Sequence, residues 1–125
     1  MKFLAAALLL LVAANAQAEL PSASAATVRQ VLAAGRPAVI DLGARTCIPC
    51  RQMAPILEGL ANDFRGQAGV LFIDVREDST AAQDFRIQMI PTQIFFDAKG
   101  REVKRHIGFL DREELLKELR AAGLK

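Results

Sequence analysis

The spacing of apolar positions changes several times along the chain, and each change marks an element. After Ser24, whose hydroxyl can accept from the free N–H groups of a first turn, Val28, Val31 and Leu32 recur at helical spacing until Gly35 and Pro37 stop the pattern. Pro37 to Gly43 reads as a short buried strand interrupted by one charge, Asp41. From about Ile48 to Phe64, Met53, Ile56, Leu57, Leu60, Ala61 and Phe64 return every three or four residues, which predicts a helix kinked at Pro55. Val70 to Val75 is a second buried strand, so the helix before it becomes the right-handed crossover of a parallel pair. Thr80 is expected to cap a short helix through Phe85, and Ile87 to Pro91 leads into a strand from Thr92 to Asp97. Asp97-Ala98-Lys99-Gly100 makes a hairpin turn into the alternating run Arg101 to Ile107, which should keep one face exposed. Asp111 then caps a last helix with Leu115, Leu116 and Leu119 inward.

The first eighteen residues follow a different pattern. Lys2 precedes an apolar block from Leu4 to Ala14, and Ala16-Gln17-Ala18 offers a small-x-small cleavage site. Residues 1–18 are therefore expected to be a signal peptide and residues 19–125 one exported domain, periplasmic in a Gram-negative cell. The alternative is an uncleaved anchor, against which the block is short of the roughly 20 apolar residues a span needs. The formal net charge is +2, with the basic residues scattered and not interleaved with aromatics, so nothing supports nucleic-acid binding.

The chain has two cysteines, Cys47 and Cys50, in Arg45-Thr46-Cys47-Ile48-Pro49-Cys50-Arg51, between the first strand and the long helix. A pair spaced this closely closes too small a loop to add much stability, so its value is chemical: the two thiols can form a redox-active disulfide. A helix N-terminus favours a thiolate there, and Pro49 suits the first turn, where its missing N–H costs nothing. Zinc is the rival use of such thiols, but it wants about four ligands and the chain offers two Cys and the single His106, which reads as a partly exposed strand residue. No metal or other cofactor is expected.

Asp41, Cys47-Ile48-Pro49-Cys50, Pro55, Ile90-Pro91-Thr92 and Gly108 fall in the order and at the spacings of the thioredoxin family, and the chain resembles that family over almost all of residues 24–122. The resemblance implies an α/β thioredoxin fold, a central mixed sheet flanked by helices. The stretch before Ser24 is short for the family's usual first edge strand, so four strands are expected. It also implies roles. Cys47 is the nucleophile, Cys50 the resolving thiol, and Asp41 the buried acid that takes a proton from Cys50. A strand-end Asp bonded to solvent or a backbone N–H is the plainer alternative. The Ile90–Pro91 bond would be cis, where the residues alone favour a trans turn, and Ile90 would offer its backbone to an extended substrate. Thr46, Ile48, Pro49, Ile90, Pro91 and Gly108 form the expected substrate rim.

Thr46 stands where the family usually has Trp, and Ile48 is bulkier than the usual Gly, so the rim differs in shape. With no His between the cysteines to stabilise the thiolate, a reducing bias is expected. The expected activity is an exported protein-disulfide reductase, a monomer acting on protein disulfides and recharged by a membrane-bound thiol donor. A periplasmic oxidant or isomerase, or a non-catalytic binding or chaperone module on the same fold, are the alternatives.

Overall fold

The computed structural model describes residues 19–125; the expected leader, residues 1–18, lies outside the described residues. Four helices and four strands follow in the expected order. Helix α1 (Ala25–Leu32) is capped by Ser24, whose Oγ accepts from Thr27 N at 3.1 Å. Strand β1 (Ala38–Gly43) is buried at every position, as a central strand covered on both faces must be. Helix α2 (Ile48–Asp63) begins at Cys47 as its cap and carries Pro55 inside it. It crosses to β2 (Gly69–Asp74), which lies parallel to β1.

Helix α3 (Ser79–Asp84) corrects one expectation: its cap is Asp78, and Thr80 lies inside the first turn. The Asp78 carboxylate accepts both from Ala81 N at 3.3 Å and from the Thr80 hydroxyl at 2.6 Å, so the stronger acceptor two residues upstream takes the cap and Thr80 becomes its donor. Strands β3 (Thr92–Phe96) and β4 (Glu102–Ile107) form the hairpin, and α4 (Arg112–Ala121) is capped by Asp111. At the turn, Asp97 Oδ1 accepts from Lys99 N and Arg101 N, while Gly100 takes φ +76 in a place where a β-carbon would lie 2.7 Å from Leu32 O.

The sheet order is β2-β1-β3-β4, with β1 and β2 parallel and the other neighbours antiparallel. Four strands are thus present, and the chain before α1 adds a single bridge, Ser22 opposite Phe72, closed by Ala23 N to Phe72 O at 2.8 Å. The expected one-sided exposure of β4 does not hold. β4 is the sheet edge, the pairing slips between Phe95 and Phe96 so that Val103 has no opposite residue, and Val103 and Ile107 are both about half exposed.

Both faces of the sheet are covered. On one, Val39 and Phe95 pack with Met53, Leu57 and Leu60 of α2 and Leu115 and Leu119 of α4. On the other, Ile40, Leu42, Ile73 and Ile94 pack with Val28 of α1 and Ala81 of α3. The first face also carries the polar residues Asp41 and Gln93, each wholly buried, and it is the face on which the site is built.

Candidate active site

Where β1 ends and α2 begins, the chain passes through Ala44-Arg45-Thr46 and delivers Cys47 to the helix cap. That loop is held by Asp74 at the end of β2. Its carboxylate accepts from the backbone N–H groups of Arg45 (3.1 Å), Arg76 (2.8 Å) and Glu77 (3.2 Å). Burial works to raise the Asp74 pKa, but these donors and the Arg45 charge outweigh it and hold the carboxyl below the usual carboxylate value of 3.8. The Arg76 guanidinium donates to the Thr46 hydroxyl. The Arg45 guanidinium pairs with Glu19 at 3.0 Å, donates to the Leu20 carbonyl at 3.1 Å and lies 5.1 Å from the centre of the Phe72 ring, so it ties the N-terminal segment down.

Cys47 and Cys50 are joined in a disulfide, with Cα atoms 5.2 Å apart. Cys47 is partly exposed and Cys50 is 4% exposed. Cys50 N donates toward Cys47 Sγ at 3.4 Å, so the outer sulfur faces the free N–H end of α2. Pro49 at the second helical position removes a donor that would otherwise stand in that first turn. Cys50 packs against β1. A β-carbon on Gly43 would lie 3.0 Å from Cys50 Sγ, so glycine there lets the helix sit close to the strand.

Two residues before Gly43, and so on the same face of β1, is Asp41. Gln93 of β3, paired with it across the sheet, donates from Nε2 to Asp41 Oδ1 at 2.9 Å and touches Met53 Sδ at 3.1 Å. The other oxygen, Oδ2, is buried without a hydrogen-bond partner. Burial dominates and pushes the Asp41 pKa up from 3.8 to about 6, with the Gln93 bond pulling the other way.

The remaining expected residues lie at the end of the sheet where α2 starts: Thr92, which opens β3, pairs with Leu42 near the end of β1 and with Ile107 at the end of β4. The Ile90–Pro91 bond is cis, the isomer the resemblance implied, and Pro91 is buried while Ile90 is partly exposed. Gly108, at φ +104, donates from its N–H to Pro91 O at 2.8 Å and so fixes the β4 end beside this loop. Ile48 projects at 72% exposure beside Cys47, and Thr46 is exposed on the other side. The sequence reading missed Met89 and Phe109, which add 61% and 44% exposed apolar side chains on either flank of these two segments. It also missed Gln93. Its signal was the same as that of Asp41, a polar residue inside an apolar strand. Among the described residues no group of three or more His, Cys, Asp or Glu could hold a metal ion.

This arrangement can do one chemistry directly, the exchange of a disulfide with an external one, with a titratable carboxyl on the buried side. A family model described as Thioredoxin matches residues 20–121. The chain is 40% identical over 77 residues to a thioredoxin of Staphylococcus saprophyticus, spanning 62% of this chain and 73% of that one. It is 35% identical over 107 residues to a bifunctional thioredoxin reductase/thioredoxin of Mycobacterium leprae, 86% of this chain but 23% of that protein's length. Among solved structures, a mutant thioredoxin from Halobacterium salinarum NRC-1 superposes with TM-score 0.72 at 26% identity, covering 82% of this chain and 88% of the other. Chloroplastic thioredoxin z superposes with TM-score 0.71 at 26% identity, over 84% and 95%.

Proposed function

The chain belongs to the thioredoxin family and is a thioredoxin-type protein-disulfide oxidoreductase with a Cys-x-x-Cys pair, and from that premise we propose that it is an exported reductase of protein disulfides. The observation that carries the reading is the contrast between the two sulfurs: Cys47 partly exposed at a helix N-terminus, Cys50 buried one turn in.

In the reduced protein the Cys47 thiolate attacks one sulfur of a client disulfide. The client S–S bond breaks, its electron pair leaves on the second client sulfur, and a Cys47–client mixed disulfide forms. Asp41 Oδ2, the carboxyl oxygen with no other partner, accepts the Cys50 thiol proton. The Cys50 thiolate then attacks Cys47 Sγ, the mixed disulfide breaks, and the client leaves with two electrons while Cys47–Cys50 becomes the disulfide. A dithiol donor must return the pair to its reduced form; in an exported protein that donor is membrane-bound. Asp41 at about 6 is matched to this task, since it is ionised at neutral pH yet basic enough to take a proton.

The client docks on the rim of Thr46, Ile48, Pro49, Ile90, Pro91 and Gly108. Support for this comes from the exposed side chain of Ile48, from Met89 and Phe109 beside Ile90 and Gly108, and from the partly exposed Ile90 before β3. Export is supported by the Lys2, Leu4–Ala14, Ala16-Gln17-Ala18 pattern. The reducing direction rests on Ile48-Pro49 between the cysteines, and the monomer on the lack, among the described residues, of a sustained exposed apolar stripe.

Insulin reduction with dithiothreitol as donor tests the reading. Cys47→Ser should abolish turnover, and Cys50→Ser should accumulate a Cys47 mixed disulfide with the insulin chain. Full turnover by both variants would instead favour a binding module on this fold.

A further inference from the structure

The carboxamide of Gln93 has two ends, and both are occupied. Its Nε2 faces Asp41 Oδ1 at 2.9 Å, and its Oε1 lies 2.9 Å from His106 Nδ1. A carboxylate oxygen only accepts, so the amide nitrogen must face Asp41 and the amide oxygen must face the imidazole. Since an amide oxygen also only accepts, His106 carries its hydrogen on Nδ1 and donates. The result is a single directed chain from partly exposed His106 on the edge strand, through wholly buried Gln93, to wholly buried Asp41.

We propose that His106 is a positioning residue for the disulfide-exchange reaction: its Nδ1–H locks the Gln93 amide so that Nε2 holds Asp41 Oδ1, leaving Oδ2 as the one oxygen free to exchange a proton with Cys50. This rests on the assignment of Asp41 as the proton acceptor. Without the His106 bond, the Gln93 side chain can turn its Oε1 toward the carboxyl. Oxygen would then face oxygen, the ionised form of Asp41 would lose its one donor, and its proton would be held more tightly.

Among the described residues no charged side chain hydrogen-bonds to Asp41; the buried acid of α2, Glu58, has an oxygen, Oε1, that is likewise without a hydrogen-bond partner. Around Asp41 are Gln93 from β3, Met53 of α2 against the Gln93 amide, and Phe72, its register partner on β2, while Cys50 packs against Gly43 two residues along the same face of β1. Toward this face α4 presents Leu115 and Leu119. Of the ionisable side chains nearby, Asp74 is bonded to the loop before α2, Arg45 lies over Phe72, and Lys104, which shares the β4 face with His106, is exposed. The shift of Asp41 accordingly has two causes, burial and the Gln93 bond, and His106 controls the second.

The test is a carboxyl ¹³C titration of the oxidised full-length protein with labelled aspartate, the Asp41 signal being identified by its loss in Asp41→Asn. His106 lies partly exposed on an edge strand, so its truncation leaves the core intact. His106→Ala should move the Asp41 midpoint upward by about half a pH unit or more. His106→Asn, whose Nδ2 can donate from nearly the place of the imidazole Nδ1, should restore it. An unmoved midpoint in His106→Ala, or the same displacement in both variants, overturns the proposal. Insulin reduction by Asp41→Asn judges the underlying assignment separately. A pH profile identical to the wild type would remove the proton acceptor, and with it the catalytic meaning of the network, whatever the titrations give.

Discussion

Gly43 and Cys50 meet across the β1–α2 boundary so closely that a single added methyl on Gly43 would stand 3.0 Å from the Cys50 sulfur and 3.2 Å from its Cβ. Phe72 closes the far side at 3.5 Å. The backbone of Gly43 is ordinary strand, so glycine is needed here for space and not for conformation. In the oxidised protein the sulfur is tethered to Cys47 and cannot swing away; in the reduced protein it can.

Gly43→Ala should therefore destabilise the oxidised form by about 1–3 kcal/mol, the usual cost of overpacking, and the reduced form by less. Guanidinium denaturation of both redox states measures this. Because the penalty falls mainly on the oxidised state, the couple should become more oxidising, by roughly 30 mV for each 1.4 kcal/mol of difference. Equal losses in the two states would show that Cys50 does not relax on reduction.

Asp41 makes the oxidised protein less stable as pH rises. The native state holds its proton up to about 6, the unfolded chain only to 3.8, so ionisation costs native stability from pH 3.8 upward and the full cost is present above pH 6. The interval corresponds to about 3 kcal/mol. Asp41→Asn has no such titration. Its unfolding free energy relative to wild type should rise by about 3 kcal/mol between roughly pH 3 and pH 8, whatever the starting difference. Urea denaturation across that range is the measurement, and a constant difference would mean that Asp41 titrates normally.

Asp74 has the opposite sign. Its carboxyl is held below 3.8, so it stabilises the native state above that value and the contribution disappears as pH falls below it. Asp74→Ala leaves the N–H groups of Arg45, Arg76 and Glu77 without their acceptor and should cost about 2–3 kcal/mol at neutral pH. Thermal denaturation of variant and wild type should converge in acid. A gap that persists there would point to packing in place of charge.

The element order, the cap residues Ser24 and Asp111, and the placement of the cysteine pair were legible because each depends on local spacing. Asp41 announced itself as a charge inside an apolar strand. Gln93 gave the same local signal, but its link to His106 was hidden, since it depends on the β3–β4 register, which sets Gln93 opposite His106, and on Asp41 lying opposite Gln93 on the next strand. The displaced cap of α3 has a simpler cause: Asp78 and Thr80 both fit, and only the geometry shows that the carboxylate accepts from both Ala81 and Thr80. The exposure of Val103 and Ile107 was hidden for the same reason as the network, because alternation predicts a buried face only where a neighbouring layer covers it.

The reduction potential of the Cys47–Cys50 couple, measured by equilibrating the purified protein with dithiol/disulfide buffers, tests the central claim most directly. A reductase built on this pair should give a value near the thioredoxin figure of about −270 mV. A value near the strongly oxidising figure of about −120 mV would contradict it and make the protein a donor of disulfides.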